Sequence, residues 1–148
     1  RKADEAGKEA ASSIMKKSLT VCALLLGMLH ILFFLFLEDI LYLMGATPDY
    51  ISLAMDYSVP ALIATYFTSL TLILQAVQLG YGKTAVIMKT NVAGNIMNVI
   101  LNFILIFGIG PVPAMGVAGA AIGTVFATLF TLIATAAILR GDGFFAES

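Results

Sequence analysis

Charged residues stand far apart in this chain, and the intervals between them are almost uniformly apolar. Lys17 and Glu38 enclose SLTVCALLLGMLHILFFLFL, twenty residues without a charge; Asp56 and Lys83 enclose twenty-six, and Lys89 and Arg140 enclose fifty. A helix needs about 20 apolar residues to cross a hydrocarbon core of roughly 30 Å. Fifty is too long for one crossing, and GIGPVPAMG at 108–116 divides it. The pattern predicts four membrane-spanning helices, near 15–43, 51–80, 84–107 and 115–139. Transmembrane strands would alternate apolar and polar positions over short segments, and these runs do not alternate. Turn chemistry sets the ends. Gly45-Ala-Thr-Pro48 stops the first span, Gly80-Tyr-Gly82 the second, and Gly108, Gly110, Pro111 and Pro113 the third, since proline cannot continue a helix and glycine favours turns. Pro60 lies inside the second span and is expected to kink it. With connections this short, consecutive helices are expected to be antiparallel neighbours. The fold class is all-α, a polytopic transmembrane helical bundle.

Composition identifies the solvent. The chain is 60% hydrophobic and 11% charged, with a mean hydropathy of +0.99, whereas soluble domains carry about a quarter charged residues. Too few polar groups exist to coat a water-soluble fold, so a lipid bilayer is the expected surrounding. If successive connections alternate sides, the N-terminal segment, the second connection and the C-terminus share one side. Those regions hold every basic residue: Arg1, Lys2, Lys8, Lys16, Lys17, Lys83, Lys89 and Arg140. The first connection holds Glu38, Asp39, Asp49 and Asp56. The positive-inside rule then places both ends of the chain in the cytoplasm, with residues 1–14 as a connector and 140–148 as a tail. RKADEAGKEA has no signal-peptide form and reads as a continuation from something upstream; RGDGFFAES stops in a polar loop. The chain is expected to be part of a longer protein.

Catalytic chemistry finds little to stand on. Cys22, the single cysteine, excludes an intrachain disulfide and a cysteine metal cluster. Gly80-Tyr-Gly82-Lys83-Thr84 ends like a phosphate-binding loop, but Val77 stands where the first glycine is required. No enzymatic activity, cofactor or nucleic-acid partner is expected.

Polar residues inside the spans are more informative. Asn91, Asn95, Asn98 and Asn102 recur at i, i+4, i+7 and i+11, on one face of the third span. Carboxamides facing lipid would be left unpaired, so this face must meet protein or water. It is either a cavity wall that meets a proton, ion or substrate, or a set of interhelical hydrogen bonds. In the fourth span, Gly119, Gly123 and Ala127 form a small-residue row suited to close packing. Thr124, Thr128, Thr131 and Thr135 run beside it, most of them expected to bond their own helix; Thr124 is singled out as level with Asn102. The second span adds Gln75 and Gln78 among several hydroxyls, and His30 is the one histidine, inside the first span. The candidate cavity residues are Gln75, Asn95, Asn98, Asn102 and Thr124.

These residues also carry a resemblance. NIMNVILNFILIFGIGPVPAMGVAGAAIGT, with its N-x-x-L-N-x-x-L-I-F-G run and its G-V-x-G-A-A-x-x-T run, resembles the fifth and sixth helices of the multidrug and toxic compound extrusion (MATE) family. RKADEAGKEAASS resembles that family's connector between the second and third helices, and MGATPDYISLAMDYSVPALI the stretch entering its fourth. The resemblance covers essentially the whole chain, as helices three to six of the first six-helix lobe. It implies a twelve-helix antiporter that exports organic cations or drugs across the cell membrane in exchange for H⁺ or Na⁺, with the remaining helices of the same transporter as partners. By motif, Asn98 and Thr124 match the family's polar groups, and Asn102 stands where some members have Asp. Gln75-Ala76 departs from a common Arg-Gly, and Thr84 lacks a nearby Pro. Alternatives are a lipid-linked saccharide flippase of the same superfamily and a non-transporting membrane scaffold.

Overall fold

The computed structural model describes residues 2–108, 110 and 116–142; Arg1, Pro111, Pro113 and the tail at 143–148 lie outside the described residues. The described residues form five α-helices and no strand: α1 (Lys2–Leu35), α2 (Leu37–Leu43), α3 (Ile51–Gly80), α4 (Thr84–Phe107) and α5 (Val117–Gly141). All but α2 are long and apolar enough to cross a membrane.

Two features depart from the sequence expectation. The first helix begins at Lys2 rather than near 15, because Ala, Lys and Glu dominate the opening segment and all are strong helix formers. It then breaks at Phe36, whose backbone leaves the helical region at φ −107° and ψ 15°. The short α2 restarts with Glu38 and Asp39 in its first turn, where negative charge meets the positive end of the helix dipole. Gly45, at φ 111°, then turns the chain in a conformation that side chains other than glycine's resist. In α3 the helix runs through Pro60 without interruption.

The helix order in space differs from the order in sequence. α5 packs extensively against both α3 and α4, while α3 and α4 approach each other far less. The cause is the small-residue surface of α5. A Cβ added at Gly119 would lie 2.5 Å from Leu105 O, so the backbones of α4 and α5 nearly touch there. On the other side, buried Ala121 faces Ala61 and Ala64 of α3 across a shallow hollow. α1 packs on α3 and leaves most of its apolar surface exposed.

One buried cluster ties three helices together: Met15 of α1, Leu74 of α3 and Leu139 of α5. Beyond it, Lys83 Nζ lies 2.6 Å from Asp142 Oδ2, and Lys8 Nζ donates to Asp142 O at 2.8 Å. The N-terminal segment, the α3–α4 turn and the end of α5 therefore meet at one end of the bundle.

Candidate functional site

Helices α3, α4 and α5 surround an open cleft of about 210 Å³. Thr68, Thr71 and Gln75 of α3, Asn91, Asn95 and Asn98 of α4, and Thr128 and Thr131 of α5 form its polar lining. Each helix supplies its groups at spacings of three or four residues, which is why one face of each reaches the cleft. Among the described residues, no charged one lines it. Its walls are neutral dipoles.

Two hydrogen-bonded clusters organise these groups. Toward the end marked by Lys83 and Asp142, buried Gln75 donates from Nε2 to Asn91 Oδ1 at 2.8 Å, joining α3 to α4. Further along, Asn98, Asn102 and Thr124 join α4 to α5. Thr124 Oγ1 lies 3.0 Å from Ala120 O and 3.4 Å from Asn98 Oδ1. With its amide nitrogen assigned toward the surrounding acceptors, Asn102 donates to Asn98 Oδ1 and to Ala120 O, each at 3.1 Å. The Asn102 side chain fits because Gly123 has no Cβ to exclude it. The small-residue row thus packs the helices and also makes room for a polar side chain.

Among the sequence-derived candidates, Gln75, Asn95 and Asn98 line the cleft directly. Thr124 lines the adjacent hollow of about 420 Å³ with Tyr57, Thr65 and Ser69. Asn102 lines neither and reaches the site through Asn98. Thr128 and Thr131 bond carbonyls of their own helix, at Val125 and Ala127, and face the cleft as well. Gly94 is a position that periodicity did not single out: a Cβ there would collide with Thr131 Oγ1. Its signal was present, one turn beyond Asn91 on the same face.

His30 lies elsewhere, between α1 and α3. Its Nδ1 is 2.7 Å from Leu26 O, and its ring meets Tyr66 edge-on at 5.4 Å, while Tyr66 Oη donates to Ala23 O at 2.9 Å. Both polar groups are held by α1 carbonyls one turn away or across the contact, and His30 is not among the cleft residues. His30→Phe keeps the ring packing and is expected to lower stability by only about 0.6 kcal/mol, the average worth of a hydrogen bond in a membrane protein. Thermal unfolding of the purified protein in detergent checks this.

Four membrane-length helices, three of them around a neutral polar cleft, define a multi-pass helical membrane protein. The chain belongs to the MatE family, which it matches over residues 6–104, from within α1 to within α4. It is similar to the "Uncharacterized transporter YisQ" of Bacillus subtilis (strain 168), with 34% identity over 76 residues; that stretch is 51% of this chain and 17% of the relative. The chain thus spans a small part of that relative's length. No solved structure matches it.

Proposed function

We propose that this chain forms helices three to six of the N-terminal lobe of a secondary active multidrug efflux antiporter. The whole transporter exports organic cations or drugs across the cytoplasmic membrane in exchange for H⁺ or Na⁺ by alternating access, with the Lys83–Asp142 end of these helices facing the cytoplasm. Family membership and the transporter named among its relatives support the general reading. One observation carries the site: Asn98, Asn102 and Thr124 converge from two helices beside an open, uncharged cleft. Neutral carbonyl and hydroxyl oxygens suit a cationic or neutral cargo, and an anionic head group would find no Lys or Arg among the described residues of the cleft. Amides and hydroxyls do not titrate near neutral pH, so a proton exchanged by this lobe must be carried on a group outside this cluster.

The test separates transport from packing. In the full-length transporter, Asn98→Ala with Asn102→Ala removes two interhelical partners worth about 0.6 kcal/mol each, so the protein is expected to stay folded by size-exclusion profile and melting temperature. Drug efflux and counter-ion exchange are expected to fall roughly tenfold or more. Unchanged resistance and unchanged coupling would leave the cluster a structural contact and end this assignment.

A further inference from the structure

A polar side chain removed from water costs free energy unless it finds a hydrogen-bond partner. Three helices here bury one each. Gln78 of α3 is 1% exposed, Thr135 of α5 is fully buried at 0%, and Ser12 of α1 is 3% exposed. Gln78 Nε2 and Oε1, Thr135 Oγ1 and Ser12 Oγ have no hydrogen-bond partner among the described residues. Thr135 differs in this from Thr124, Thr128 and Thr131 of the same helix, each bonded to a carbonyl one turn back.

The three groups lie at neighbouring levels of the bundle. Thr71 and Thr131 line one cleft, and Lys83 pairs with Asp142. The offsets are 131 − 71 = 60 and 142 − 83 = 59, so α3 and α5 run parallel in a steady register. Thr135 is therefore level with Gln75, and Gln78 is one turn nearer the Lys83–Asp142 end. A long helical side chain leans back over the preceding turn, which carries the Gln78 carboxamide toward Thr135. Ala11 of α1 and Val77 of α3 pack on the same buried cluster, and their sequence neighbours Ser12 and Gln78 share that level.

A carboxamide and two hydroxyls each both donate and accept. None of the three carries a charge to offset the cost of stripping an ion of its water. Water suits such a set, because an internal water typically takes two to four polar partners. We propose that a bound water lies between α1, α3 and α5, bridging Gln78 to the hydroxyls of Thr135 and Ser12. It continues the polar surface that runs from Asn98 past the Gln75–Asn91 pair, and ends about two turns from the Lys83–Asp142 pair.

Radiolytic hydroxyl-radical footprinting of the purified full-length transporter tests this, with Met15 as the reading. Met15 is 1% exposed and belongs to the cluster beside these groups, so bulk radicals do not reach it, whereas a radical formed from a bound water does. The expected result is clear oxidation of Met15 in the wild type, falling several-fold in Gln78→Leu at unchanged elution and melting behaviour. If Gln78→Leu does not fold, Thr135→Val combined with Ser12→Ala gives the same reading with milder changes of shape. Met15 oxidation no higher than background in the wild type overturns the proposal; that is the result expected if Gln78 bonds Thr135 directly or pairs with another part of the transporter. Equal oxidation in wild type and folded variants also overturns it.

Discussion

Gly119→Val is expected to destabilise the full-length protein by about 3 kcal/mol, the upper end of what overpacking a filled interface costs, and to abolish the proposed efflux with it. A Cβ at this position would meet Leu105 O at 2.5 Å, Leu105 C at 2.7 Å and Ile106 N at 3.1 Å. All three are backbone atoms of α4, so no change of side-chain rotamer relieves the collision. The helices must separate, and Asn102 and Thr124 stand one to two turns away on the same interface. Their shared hydrogen bonds are expected to break as α4 moves outward. Gly7→Ala is the contrasting case, because a Cβ there meets nothing within 4 Å; a helix-interior glycine replaced by alanine gains about 0.5–1 kcal/mol. Melting of the purified protein in detergent, read beside drug uptake, checks both. A Gly119→Val protein that melts and transports like wild type would show that α4 and α5 do not approach this closely.

The second large effect is expected at Leu74. It is 1% exposed and shares one buried cluster with Met15 and Leu139, a cluster to which α1, α3 and α5 each contribute. In water-soluble cores Leu→Ala costs about 2–5 kcal/mol, combining lost transfer energy with a residual cavity. In a bilayer the transfer part largely vanishes, because lipid tails are as apolar as leucine, and the lost dispersion contacts remain. Leu74→Ala is therefore expected to cost about 2 kcal/mol, the low end of that range. The first consequence should be looser docking of α1, which has few other buried contacts. Thermal unfolding measures the size, and faster proteolysis within residues 2–20 would locate the loosening. No change in either would mean that the three-helix cluster does not hold α1.

Much of the site was legible one helix at a time. The i, i+4, i+7, i+11 spacing of the asparagines places them on one face of α4 whatever that helix packs against. Thr124 matched by motif, and it does reach Asn98. The pairing of Gln75 with Asn91 was not legible, since the two sit on opposite sides of a turn with equally polar neighbours. His30 shows the opposite limit. Sequence marks a lone intramembrane histidine as a candidate, yet its interactions were decided by Tyr66 of α3 and the Leu26 carbonyl. Gly94 shares a face with Asn91, but the need for a glycine there depends on Thr131 arriving from another helix.

The sequence alone determined that there are four membrane-length helices and which residues face together on each. Those properties follow from one dimension: lipid forces each span to satisfy its backbone within its own helix, and a fixed helical pitch sets the faces. Only the tertiary structure decided which faces meet. It placed α5 against both α3 and α4, joined Asn98 to Thr124, and left Gln78, Thr135 and Ser12 each buried without a partner among the described residues. The physical reason is that close approach depends on small residues on two helices at matching heights, and neither height nor partner is written along a single chain.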